Sequence, residues 1–102
     1  MDTFKRISVQ EAHEIMSTGN AVTIVDVRDP NAYAQGHIDH AQIINDDNIE
    51  DFLTKTDKEK PLICYCYHGI SSQRAALYFT DQGFSQVYSI DGGWEEWKKV
   101  YA

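Results

Sequence analysis

Cys66 is followed by Tyr67-His68-Gly69-Ile70-Ser71-Ser72, at the point where an apolar run gives way to an amphipathic one. Upstream, Pro61-Leu62-Ile63-Cys64-Tyr65 predicts a short buried strand. Downstream, Ser72, Ala75, Ala76 and Phe79 fall on one face of a helix. A thiol between a strand end and a helix N-terminus meets partial positive charge from backbone amides, which favours the thiolate, the nucleophilic form of cysteine. The same amides can hold an anion. The stretch therefore reads as a nucleophile loop.

The second cysteine, Cys64, is separated from Cys66 by one residue. That spacing is too close for an ordinary structural disulfide and closes no sizeable loop. The four histidines, His13, His37, His40 and His68, form no recognisable ligand cluster, so no metal is expected. In a reducing compartment both thiols stay free. Cys64 is expected to pack and Cys66 to react.

At 102 residues, 42% of them hydrophobic and 12% aromatic, residues 1–102 fit one domain with one core. The net charge of −7 argues against a nucleic-acid or anionic-membrane surface, because phosphates are held mainly by Lys and Arg. The opening residues lack the apolar segment of a signal peptide, and no apolar run approaches membrane-spanning length, so a soluble cytoplasmic protein is expected.

The elements that must position the loop follow from periodicity. Ser8 with Glu11 forms a capping box, and Ala12, Ile15 and Met16 stripe a first helix ending near Gly19. Residues 21–27, nearly all apolar, predict a strand covered on both faces. Asp29-Pro30 starts a short helix through about Gln35, with Gly36 turning the chain out of it. A brief strand around Gln42 to Ile44 precedes a helix carrying Ile49, Phe52 and Leu53, for which Asn45 or Asp46 is the expected cap. The helix after the Cys66 loop runs to Gly83. Residues 86–90 are the last strand, and Asp91-Gly92-Gly93 turns into a final helix with Trp94, Trp97 and Tyr101 on one side. Such alternation predicts an α/β fold with a mainly parallel sheet between helical layers and ligands bound beyond the strands' carboxyl ends. Cys66 falls at such an end.

Three separated segments resemble the rhodanese family, small domains that carry sulfur as a cysteine persulfide. They are Val25-Asp26-Val27-Arg28 with Tyr33, Gly36-His37-Ile38 and Ala41; Cys66-Tyr67-His68-Gly69 with Ser71-Ser72; and Tyr88-Ser89-Ile90-Asp91-Gly92-Gly93-Trp94 with Trp97. They span almost the whole chain in order. The Cys-Tyr-His-Gly start is shared with the family's single-domain thiosulfate sulfurtransferases.

The resemblance implies a five-stranded, mainly parallel sheet and a reaction in two half-steps. Thiosulfate donates a sulfur to Cys66, and cyanide, a dithiol or thioredoxin removes it. No cofactor is implied. The amides of Tyr67, His68, Gly69, Ile70, Ser71 and Ser72 are expected to point inward and bind the anionic substrate. His68 helps to hold the anion or orients the loop, or else faces solvent. Asp26 and Arg28 are expected to support the loops through an ion pair rather than to react. His37 is expected to end its helix or bond a neighbouring backbone group. Ser71 departs from the family, many of whose members carry a basic residue there to meet the sulfite end of thiosulfate. Arg74 is a candidate to compensate. Two other functions compete. A Cys-dependent phosphatase or arsenate reductase needs an Arg where Ser72 stands, and a non-catalytic binding or regulatory module does not need an intact cysteine.

Overall fold

A computed structural model describes residues 3–102 and places five strands and five helices in strict alternation. The strands are β1 (Lys5–Ile7), β2 (Thr23–Asp26), β3 (Gln42–Ile43), β4 (Leu62–Tyr65) and β5 (Val87–Ile90). The helices are α1 (Val9–Ser17), α2 (Pro30–Gln35), α3 (Ile49–Lys55), α4 (Ser71–Asp81) and α5 (Gly93–Tyr101). All four strand pairings are parallel, in the order β1-β5-β4-β2-β3. β4 is thus central, and the strand that holds Cys64 and leads into Cys66 is hydrogen-bonded on each side.

Side chains along β4 alternate between two cores. Ile63 and Tyr65 join Val9, Ala12, Ile24, Ile90 and Trp97 under α1 and α5. Leu62 and Cys64 join Val25, Phe52, Ala76, Phe79 and Val87 under α3 and α4. Every residue of β4 is buried, which is why its sequence shows a continuous apolar run rather than an alternating one. Extending the alternation by one step puts Cys66 on the α4 side, beneath that helix's first turn.

The capping box of α1 forms as expected, with Ser8 Oγ accepting from the Glu11 amide at 3.1 Å and Glu11 Oε1 accepting from the Ser8 amide at 2.9 Å. Asp29 caps α2 through the Ala32 amide. Gly83, with φ of +101°, follows α4 as expected.

Two expectations change. The cap of α3 is neither Asn45 nor Asp46. The helix opens at Asn48, whose side chain turns back to accept from the Asn45 amide and to donate to the Ile43 carbonyl. Asn45 instead accepts through its own side chain from the Asp47 amide, in a tight turn before the helix. The residue pattern also gave no strand before α1. β1 is an edge strand of three residues in which Ile7 alone is buried, too short and too charged to show a period; Arg6 is paired to Asp91 at 2.8 Å. Among the described residues, no helix is long and apolar enough to cross a membrane.

Candidate active site

The loop 66–70 joins the carboxyl end of β4 to the N-terminus of α4, so amides at the helix start converge on the first side chain past the strand. Cys66 Sγ accepts from the Gly69 amide at 3.2 Å and from the Ser72 amide at 3.2 Å, and the Ser72 hydroxyl lies 3.4 Å away. The residue is 6% exposed. Burial alone works against a charge on this sulfur, but the Ser72 hydroxyl and the amides of Ser72, Gly69 and His68 outweigh it and lower the thiol pKa. Among the described residues, the amides of Tyr67, Ile70 and Ser71 form no hydrogen bond. A cavity of about 390 Å³ opens above the sulfur, lined by Val27, Arg28, Asp29, Tyr67, His68, Ile70 and Ser71.

The loop is held from three sides. From α4, Gln73 Nε2 donates to the Gly69 carbonyl at 2.7 Å. From α5, the Trp94 amide donates to the Cys66 carbonyl at 2.8 Å and the Glu95 amide to the Tyr67 carbonyl at 3.0 Å. The free donors of one helix start thereby satisfy the carbonyls of the loop beside the other. This approach fixes the residue types. A Cβ on Gly93 would overlap the Cys66 carbonyl oxygen, and one on Gly69, whose φ is +84°, would meet the Gly92 nitrogen and the Ile90 oxygen at 2.8 Å.

The third side is Arg28. Its guanidinium binds the buried Asp26 carboxylate, with Nη2 to Oδ2 at 2.7 Å and Nε to both oxygens at 3.1 Å, and donates to the Gly36 carbonyl at 2.7 Å. It also lies 5.1 Å from the ring centroids of Tyr67 and Trp94. Burial works against the Arg28 charge, but the hydrogen bonds and charge of Asp26 prevail and raise its pKa.

The side chains of the other candidates make no hydrogen bond to the sulfur. His68 and Ser71 are exposed, the His68 ring lying beside Tyr67. His37 stacks on Tyr33 and its Nδ1 lies 2.7 Å from the Tyr33 carbonyl, closing the end of α2. Arg74 does not line the cavity above Cys66; it lines a neighbouring groove of about 430 Å³ with Asn45, Asp46 and Tyr78, and Ser71 borders both. One buried residue at the site carried no role in the sequence reading. Ser89 Oγ lies 2.8 Å from Ser72 Oγ, and the signal was a serine within an otherwise apolar strand.

A family model for the rhodanese-like domain matches residues 8–100. A thiosulfate sulfurtransferase GlpE of Pseudomonas paraeruginosa is 48% identical over 98% of this chain and 89% of its own length. Another GlpE thiosulfate sulfurtransferase, of Shewanella oneidensis, is 45% identical over the full length of both chains. Among solved structures, a rhodanese-like domain protein of Staphylococcus aureus superposes with a TM-score of 0.80 at 29% identity, covering 92% of this chain and 91% of that one.

Proposed function

The chain belongs to the rhodanese-like domain family, and from that membership we propose that it is a thiosulfate sulfurtransferase with Cys66 as nucleophile and sulfur carrier. The observation that carries this reading is the Cys66 sulfur, bonded by two main-chain amides at 3.2 Å and facing an open cavity.

The chemistry follows from that setting. The thiolate attacks the outer sulfur of thiosulfate; the S–S bond breaks, sulfite leaves with the electron pair, and Cys66 holds the transferred sulfur as a persulfide. A second nucleophile, such as cyanide, a dithiol or thioredoxin, then attacks the terminal sulfur and returns Cys66 to the thiolate. Charge is anionic throughout, so fixed amide donors stabilise each stage without reorganising. The amides of residues 67–72 form the anion cradle, those not bonded to the sulfur being free to meet the substrate. Asp26 and Arg28 support the loop through their ion pair and the Tyr67 and Trp94 rings. With Ser71 neutral and Arg74 in the adjoining groove, the loop offers thiosulfate amides and hydroxyls but no Arg or Lys of its own. The exposed Tyr67 and Ile70 flank the cavity, which suits a protein acceptor. Persulfide chemistry through free thiols also suits a reducing cytoplasm. Phosphoryl transfer lacks support because Ser72 stands where the phosphate-binding Arg is needed.

Intact-mass spectrometry after thiosulfate treatment tests the assignment. One added sulfur is expected on the wild type and on Cys64→Ser, and none on Cys66→Ser. Sulfur lost from the Cys64 variant instead would sink the choice of Cys66. Sulfur taken up by none of the three, with partner binding unaffected by Cys66→Ser, would mark a non-catalytic module.

A further inference from the structure

Ser89 is fully buried in β5, where Val87 and Ile90 are the other buried residues. The register sets it opposite Cys64, on the side of the sheet that α4 covers. Its hydroxyl is 2.8 Å from that of Ser72, which is 3.4 Å from Cys66 Sγ. The three groups form an unbranched chain: among the described residues, Ser89 Oγ has no other hydrogen-bond partner, and Ser72 Oγ has only Ser89 and Cys66.

We infer that Ser89 is a positioning residue that aims the Ser72 hydroxyl at the Cys66 sulfur, and that the serine pair is matched to the ionised form of that sulfur. The inference rests on Cys66 being the reactive thiol. Hydrogen counting supplies the reason. While the sulfur is protonated, three hydrogens, one on sulfur and one on each hydroxyl, share two contacts. A chain in which the thiol donates to Ser72 and Ser72 donates to Ser89 leaves the Ser89 hydrogen buried without an acceptor, which is disfavoured. A thiol hydrogen turned towards the cavity instead leaves neutral sulfur, a weak acceptor, facing two amides and a hydroxyl. Once the proton has left through the cavity to water, two hydrogens remain for two contacts. Ser89 then donates to Ser72 Oγ, and Ser72 donates to the thiolate.

Few other groups compete for this effect. The ionisable side chains near Cys66 are Cys64 on β4, Arg28 and Asp29 in the loop after β2, and Tyr67 and His68 in its own loop. Glu95 of α5, whose amide bonds the Tyr67 carbonyl, is paired to Lys98. Arg28 is engaged by Asp26, and Cys64 is kept neutral by burial. α4 meets the sulfur with the Ser72 amide and hydroxyl, and β5 bears on it through Ser89 on Ser72.

The test is the pH dependence of Cys66 alkylation by iodoacetamide, read by intact mass, with thermal unfolding to check that each variant folds. The Ser89→Ala midpoint is expected to rise by about half a unit to one unit, a three- to tenfold smaller thiolate fraction below the midpoint. Ser72→Ala should shift it further, and Ser72→Ala/Ser89→Ala should match Ser72→Ala alone, since Ser89 acts only through Ser72. Ser89→Thr and Ser89→Val have the same shape and differ in the hydroxyl; the first should titrate near the wild type and the second with Ser89→Ala. Coincident Thr and Val midpoints overturn the inference, as does an undiminished Ser89 effect in the Ser72→Ala background. No sulfur donor enters the assay, so a wild type that fails to accept sulfur disproves the transferase reading and leaves this titration interpretable.

Discussion

Cys64 and Cys66 lie on the same side of one strand line with a single residue between them, and their surroundings drive their thiols in opposite directions. Cys64 is inside the sheet. Burial and the nearby Cys66 raise its pKa well above the ordinary thiol range, and its Sγ lies 3.3 Å from the Ser72 carbonyl oxygen and 3.5 Å from that of Tyr88, either of which can accept its hydrogen. Acceptors around a thiol favour its proton. Cys66 is one pleat further on, past the end of the ladder, where the neighbours are amide and hydroxyl donors and the thiol pKa is lowered. Both residues are buried, yet complete enclosure and carbonyl acceptors keep Cys64 a packing residue, while amide and hydroxyl donors beside an open cavity make Cys66 a nucleophile.

The largest effect should come from removing each sulfur in turn. Cys66→Ser is expected to abolish sulfur transfer in a steady-state thiosulfate:cyanide assay, while Cys64→Ala keeps most of the activity and costs about 1 kcal/mol in urea unfolding. Comparable activity losses in the two would end the distinction. The next largest effect bears on the Cys66 end alone. Gly93→Ala drives a Cβ into the Cys66 carbonyl and must displace the loop. A shift near 1 Å at the reacting atom corresponds to roughly a hundredfold loss of kcat/KM, with alkylation of Cys66 changed in parallel.

The pH dependence divides the two thiols by sign. For Cys66 the folded pKa lies below the unfolded value of about 8.5. The stability its ionisation contributes is present above that unfolded value and is lost as pH falls through the folded one. Transferase activity should fall over the same acid limb. For Cys64 the folded pKa is raised, so its contribution is present below about 8.5 and is lost as pH rises beyond it. Urea unfolding of Cys66→Ser and Cys64→Ser across pH should therefore remove opposite slopes, and removal of the same slope by both would contradict the contrast. The smallest expected effect sharpens the substrate end of the site. Ser71→Arg adds the charge this loop lacks and should lower the KM for thiosulfate by about fivefold, near 1 kcal/mol, with kcat little changed.

Much of this arrangement is legible in the sequence. The continuous apolar runs marked β2 and β4 as strands covered on both faces, and the change to helical spacing after Cys66 located the loop. Ser8, Asp29 and Gly83 marked helix ends because their contacts are local: each bonds within a few residues of itself or adopts its own φ. β1 was not legible, since Lys5 and Arg6 are exposed and its existence depends on pairing with β5 from the far end of the chain. The α3 cap failed for a related reason: Asn48 and Asn45 are both suitable types, and the hydrogen bond to the Ile43 carbonyl decides between them.

By itself, then, the sequence determined the alternation of elements, the place of Cys66 at a strand end, and the donors available to it, because these follow from chain periodicity and from the amides every helix leaves free at its start. Tertiary structure alone decided what faces those donors from elsewhere. The N-terminus of α5 closes on the Cys66 and Tyr67 carbonyls, Arg28 lies against the Tyr67 and Trp94 rings, and Ser89 reaches Ser72. These partners are far apart along the chain, and a hydrogen bond between distant residues leaves no period in the sequence; it exists only once the sheet order has brought β5 beside β4.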